Sequence, residues 1–353
     1  MRADALAGCL LGTAVGDALG LPYEGMSGQR GGRMFPDRDR FHFLPGYGMV
    51  SDDTEHACFT AQALIGAKGD PERFERKLAW SLRWWLLCLP AGVGFATLRS
   101  ILRLWVGVPP ERSGLFSAGN GPAMRSPVLG VAYGTTPDKL REFVLRSTRM
   151  THVDPKAYYG ALAVAVAAHV SADGKTVAPQ EFLHALREFL NDAPVGEFLG
   201  LVEGACSSAE RNEPVSAFAA SIGSRSGRSG YMYHTVPCVI QAWLRHQRDF
   251  MGGMMEIISA GGDTDTTAAI LGGIIGAGVG EAGIPQQWLS RIVEWPRSIA
   301  WMKKLATAAG KAVDGNQGAI APWYFIPGIM PRNMLFLLVV LAHGFRRMFP
   351  PYA

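Results

Sequence analysis

Two short stretches of oxygen-bearing side chains are arranged for chemistry: Ser51-Asp52-Asp53-Thr54 and Asp263-Thr264-Asp265-Thr266. Each opens an apolar run with helical spacing, so each places paired carboxylates at a helix N-terminus. Ser, Asp and Thr are ordinary N-cap residues, because their oxygens satisfy free N–H groups and their charge opposes the helix dipole. A cap needs one oxygen, whereas each stretch supplies several. All the donors are oxygens, with no Cys or His in either stretch, which disfavours zinc or copper and suits Mg²⁺, Mn²⁺ or Ca²⁺. Four carboxylates would over-neutralise one such ion, and a two-metal site absorbs them better. Hard cations at helix mouths point in turn to a substrate bearing phosphates, hydroxyls or both.

The elements that must hold these groups are unusually bare. In "SAGGDTDTTAAILGGIIGAGVG", Gly272, Gly276 and Gly280 recur four apart, one above another on a helix face. "GCLLGTAVGDALGLPYEG" repeats the device with Gly8, Gly12, Gly16 and Gly20. Two such faces predict close packing of these helices on each other. Asp17 and Glu24 are the charges of the first segment, both near where helix gives way to loop. Elsewhere the apolar runs are long and helix-patterned, as in "RFERKLAWSLRWWLLCL" after Asp70-Pro71, and alternation of period two is hard to find. The fold class is therefore all-α. No linker divides the chain, and the two acidic stretches must share one site, so a single compact domain is expected.

Three further stretches carry candidate ligand contacts. Gly119-Asn120-Gly121 sets an amide between two residues that tolerate positive φ, which would let backbone N–H groups form an anion-binding concavity or simply a turn between helices. His152 reads alone as a capping or core histidine, and His234 as structural. The basic stretch Ser221–Gly230 reads as a solvated loop.

Taken in order, these segments resemble the ADP-ribosylglycohydrolase family, which contains the dinitrogenase-reductase-activating glycohydrolase and the ADP-ribosyl-arginine and ADP-ribosyl-serine hydrolases. The resemblance rests on "GDALGLPYE" (16–24), "SDDT" (51–54), "SAGNGPAMRSPVLG" (117–130), "THVDPKA" (151–157), "GYMYHTVPCVIQAW" (230–243) and "GGDTDTTAAILGG" (261–273). It implies a compact single-domain orthogonal helical bundle over residues 1–330, with a dinuclear Mg²⁺ or Mn²⁺ cleft. The implied metal ligands are Ser51, Asp52, Asp53, Asp263, Asp265 and Thr266, with Asp265 bridging; Ser51 stands where some members carry threonine. Ser117, Gly119, Asn120, Gly121, His152 and Tyr231 are the implied substrate contacts. Some members place an aromatic where this chain has Ala118, for which Phe116 could substitute.

The implied activity is metal-assisted hydrolysis of the bond between ADP-ribose and a modified protein side chain or small molecule, releasing ADP-ribose. Glu24 is the first candidate for acid/base, and Asp53 the second. The alternatives are a catalytically silent crystallin-like or ADP-ribose-binding protein on the same fold, or a two-metal nucleotide phosphoesterase.

Composition sets the remaining bounds. With 353 residues and 48% hydrophobic content the chain can bury a large core, and a net charge of +4 without a basic, aromatic-interleaved stripe gives no support for nucleic-acid binding. Five cysteines without CxxC spacing fit a reducing, cytoplasmic setting. The segment 331–353 falls outside the resemblance. Its apolar run Met334–Ala342 is shorter than the roughly 20 residues a span needs, so a helix docked on the domain, on a partner subunit or on a membrane surface is expected.

Overall fold

The computed structural model describes residues 2–191, 193, 195–224 and 230–351. It is 69% helical, with nineteen α-helices and two two-residue strands among the described residues. The frame of the site consists of eight helices: α1 (Arg2–Gly20), α2 (Asp52–Ala67), α3 (Ser126–Tyr133), α4 (Pro155–Ala172), α5 (Met232–Arg245), α6 (Thr264–Val279), α7 (Ile299–Val313) and α8 (Ile329–Arg346).

Helix α1 is buried along nearly its whole length and packs against α6, α7, α2 and α3, while α4 lies against α3, α6 and α5. The glycine faces of α1 and α6 meet as their spacing predicts, running antiparallel. A Cβ added at Gly8 would lie 2.0 Å from the carbonyl oxygen of Gly276, and one at Gly12 2.1 Å from that of Gly272. The same probe meets the Ala268 oxygen from Gly16 and the Thr264 oxygen from Gly20, so the backbones touch along four turns. Gly130 of α3 meets the Ala165 oxygen of α4 in the same way.

Helix starts obey local chemistry. Asp70 accepts from the N–H groups of Glu72 (2.8 Å) and Arg73 (3.2 Å), with Pro71 behind it. Sequence patterning did not anticipate the small antiparallel pairing of β1 (Met26–Ser27) with β2 (Gly261–Gly262). Two residues per strand are too few for a periodic signal.

Helix α8 docks on the domain through Phe336, which joins a small apolar cluster with Leu21, Phe43 and Met49. Its opposite face keeps Leu335, Leu338, Leu341 and Phe345 exposed. The helical segment Ile326–Arg346 is longer than the apolar run Met334–Ala342 suggested; by length and composition alone, its 21 residues would suffice to cross a membrane. The run looked short because Arg332 and Asn333 interrupt it, and both are buried against the domain.

The α1–α6 contact yields a stability test. Gly12→Ala, whose methyl must displace backbone, should destabilise by about 3 kcal/mol or more. Gly200→Ala, at a helical position with nothing within 4 Å of the new Cβ, should be neutral or stabilising by about 0.5–1 kcal/mol. Equal urea midpoints for the two variants would show that the close contact is dispensable.

Candidate active site

The glycine contact brings three chain segments to one place. Because Gly20 lies against Thr264, the end of α1 meets the start of α6, and Thr264 Oγ1 donates to the Gly20 carbonyl (2.8 Å). A short turn, Leu21–Tyr23, then delivers Glu24. Gly25 follows with φ of 72° and donates its N–H to the Gly262 oxygen (2.6 Å). Gly261 and Gly262 adopt φ of 79° and 93°, a reversal that side chains resist, and it leads directly into Asp263. Glu24 and Asp263 therefore share one mouth.

Asp17, fully buried on α1, ties in the third segment. Its Oδ2 accepts from the N–H groups of Ser51 (2.8 Å) and Thr54 (3.1 Å) and from Thr54 Oγ1 (2.5 Å), capping α2 from outside its own helix. No ligand role was expected for Asp17. The signal was there, since it is a lone carboxylate on a glycine-rich apolar helix.

Asp53 is buried beneath the mouth, its Oδ2 accepting from Ser51 Oγ and Thr266 Oγ1, both at 3.2 Å, so it links α2 to α6. Asn120 Nδ2 donates to Asp263 Oδ2 (2.6 Å) and Thr235 Oγ1 (3.1 Å). One buried oxygen each of Asp17, Asp53 and Asp265 has no hydrogen-bond partner. All three carboxyls are raised in pKa. Burial is the main cause, followed for Asp53 by Asp52, Asp17 and Asp263, and for Asp265 by Glu24, Asp263 and Asp53. Asp52 is likewise pushed well above the usual range by burial and by Asp17, and Asp17 itself rises to about 7 by burial despite its three donors. Glu24 stays accessible at the rim, yet its protein surroundings and Asp263 raise its pKa, an effect Arg347 opposes. Among the described residues no three carboxylate, imidazole or thiolate groups already stand together as a ready metal cage.

Above this floor opens a cavity of about 660 Å³, within the range of a nucleotide-sized ligand site. Glu24, Asp52, Asp263, Asp265 and Thr266 line it, as do Ser117, Gly119, Asn120, Gly121 and His152. Ser51 and Asp53 sit behind the wall. Tyr231 is not among the lining residues; its backbone bridges to Gly119, and its hydroxyl accepts from Lys156 Nζ (3.0 Å). The expected amide concavity at 119–121 does not form. Neither glycine takes positive φ, the Gly119 N–H meets Ser117 Oγ, and the Asn120 N–H meets the Gly230 oxygen (2.8 Å). Their smallness serves His152 instead: a Cβ at Gly119 would lie 2.8 Å from its Nε2.

His152 is buried, its pKa lowered to about 3 by burial and then by Arg125, so its ring is neutral. Arg125, fully buried behind it, donates to Ser147 and Thr151; its position in a loop motif gave no hint of this. Phe116 and Phe95 are 80% and 72% exposed at the cavity wall, beside Arg99. Residues 225–229 of the basic stretch lie outside the described residues.

Fold and site together define an all-helical protein with an oxygen-only acidic centre at the floor of a ligand cavity. The ADP-ribosylglycohydrolase family model matches residues 1–318, and the chain belongs to that family. It is similar to an uncharacterised protein of Archaeoglobus fulgidus, with 32% identity over 85% of this chain and 93% of that protein. It is also similar to the ADP-ribosyl-dinitrogen reductase glycohydrolase of Rhodospirillum rubrum, with 27% identity over 82% of this chain and 90% of that one. Among solved structures it is similar to an ADP-ribosylglycohydrolase-related protein complex, with a TM-score of 0.66 and 29% identity over 88% of this chain and 99% of that chain.

The raised carboxyl pKa values fix the pH dependence of the metal-free protein. A carboxyl with a folded pKa above its unfolded value of about 3.9 binds protons more tightly when folded. Its stabilising contribution is therefore present at low pH and lost as pH rises from about 4 through about 7, the Asp17 value. In EDTA, Tm should fall between pH 5 and 8, and Asp17→Asn should flatten that fall. An Asp17→Asn protein with an equally steep decline would refute the assignment.

Proposed function

We propose that the chain hydrolyses the glycosidic bond between ADP-ribose and an acceptor, a modified protein side chain or a small molecule, and releases ADP-ribose. The observation that carries this reading is the set of partnerless, buried carboxylate oxygens of Asp17, Asp53 and Asp265, of which Asp265 lines a nucleotide-sized cavity while the other two lie behind its wall. Buried carboxylates that repel one another, with no lysine or arginine ion-paired to them among the described residues, suit a divalent cation. Ser51, Asp52, Asp53, Asp263, Asp265 and Thr266 would hold two ions, Mg²⁺ or Mn²⁺, after modest side-chain adjustment. When bound, the ions supply Lewis acidity and orient ribose hydroxyls.

The protein's own groups do the rest. The exposed rings of Phe116 and Phe95 offer faces for a nucleobase, and Arg99 beside them offers charge for the diphosphate. Neutral His152 donates or accepts one hydrogen bond but carries no proton to the reaction at neutral pH. Glu24 reaches the cavity from the rim, and its raised pKa makes it a better proton acceptor than an ordinary carboxylate, which suits it to move a proton. It takes the proton of the water attacking the anomeric carbon. As the new C–O bond forms, the bond to the acceptor atom breaks, the acceptor takes that bond's electron pair, and Glu24 returns the proton to it, which restores the Glu24 carboxylate.

The test is product identity. With Mg²⁺ or Mn²⁺ and an ADP-ribosylated protein, free ADP-ribose is expected. AMP would indicate a phosphoesterase, and tight ADP-ribose binding without turnover a silent binder. Glu24→Gln should lower kcat about 100-fold or more with little change in metal affinity. Asp263→Asn should abolish turnover and weaken metal binding while circular dichroism stays unchanged. Full activity in either variant would remove that residue from the mechanism.

A further inference from the structure

The family match ends at residue 318, yet side chains from beyond it brace the entry to the Ser51–Thr54 stretch and the turn that carries Glu24. Near the start of α8, Arg332 forms a buried ion pair with Glu294 (2.7 Å) and donates to the Val50 oxygen, while Glu294 Oε2 accepts the Val50 N–H (3.3 Å). Val50, the residue before Ser51, is thus held on both sides of its backbone. Further along, His343 Nε2 lies 2.8 Å from the Phe43 oxygen, and its ring stacks on Phe43 at 4.9 Å. Immediately after α8, Arg347 spreads its guanidinium over the turn that carries Glu24. Nη1 donates to the Glu24 oxygen (2.8 Å), and Nη2 to those of Pro22 (2.8 Å) and Leu21 (3.3 Å). Arg30 in turn donates to the carbonyls of Arg347 and Pro351.

This geometry answers a physical need. Carbonyls at the end of a helical segment are short of N–H partners and carry partial negative charge, and Arg347 meets those of the short turn that follows α1. Besides Arg347, Glu24 is held by its own N–H, which reaches the Leu21 oxygen at 3.3 Å. It precedes a glycine of positive φ with no atom within 4 Å of a Cβ placed there, and the Gly25–Gly262 hydrogen bond holds only one side of the turn. We propose that α8 is a strap, and that Arg347 is a positioning residue: its fork on the Leu21, Pro22 and Glu24 carbonyls sets the direction in which Glu24 enters the cavity. The consequence for catalysis rests on the proposed role of Glu24, whereas the strap itself is testable without it.

The experiment compares Arg347→Ala, Arg347→Lys and Arg346→Ala in the full-length chain by amide hydrogen exchange and by steady-state release of ADP-ribose. Arg346 is a neighbouring control, since among the described residues its guanidinium donates to the Pro350 oxygen and not to the Glu24 turn. In Arg347→Ala, exchange at Glu24, Gly25 and Met26 should quicken roughly tenfold, with the body of α1 unchanged. Its kcat should fall about tenfold or more at nearly constant KM. Arg347→Lys, a point charge that cannot span three carbonyls, should fall between Ala and wild type, and Arg346→Ala should match wild type. Unchanged exchange at residues 24–26 in Arg347→Ala overturns the strap, as does equal quickening throughout α1. Should Arg347→Ala fail to fold, Arg347→Lys decides by the same exchange readout, and wild-type rates there overturn the proposal. A wild-type protein that releases no ADP-ribose would defeat the functional reading, and exchange would still judge the strap.

Discussion

Backbone contact between α1 and α6 is the constraint on which the rest of the structure depends. The two helices approach so closely that a methyl group at Gly8, Gly12 or Gly16 would occupy a carbonyl oxygen of the partner. Such contact has one satisfactory register, because any slide brings side chains against backbone. That register sets the end of α1 beside the start of α6, and it thereby fixes the relation of Asp17 and Glu24 to Asp263 and Asp265. The position of α2 follows, since Asp17 takes up its first N–H groups.

Against this rigid frame the floor of the cavity is electrostatically frustrated. Asp17 is raised in pKa by burial, and Asp52, Asp53 and Asp265 by burial and by neighbouring carboxylates; Asp17, Asp53 and Asp265 each keep an oxygen without a partner. A core selected for stability alone would have replaced them with apolar groups. Local conflict within an otherwise consistent fold is the mark of a working site. Here the conflict has the sign that a bound cation relieves.

The cavity wall shows how far a motif can mislead about role while being right about place. Gly119 and Gly121 line the cavity, but the Gly119 and Asn120 amides are taken up by Ser117 and Gly230, and both glycines are small where neutral His152 approaches. Tyr231 braces the wall from behind through its backbone bridge to Gly119, and its hydroxyl meets Lys156. The structural support of the site also extends beyond the matched family region, into α8.

The sequence by itself determined the all-helical class, the facing glycine stripes and the oxygen-only donor set, because each depends on residue type at short, periodic spacing. The acidic stretches were legible for the same reason, being helix starts with more oxygens than a cap uses. Only the tertiary structure decided that Asp17 caps α2, that Asp53 lies behind the wall while Asp52 lines it, and that Arg125 sits beneath His152. It also decided that Arg347 reaches back across the chain to the turn of Glu24. These are contacts between side chains and distant backbone groups, and a carbonyl carries no sequence label. Which one an arginine meets is set by how whole helices pack.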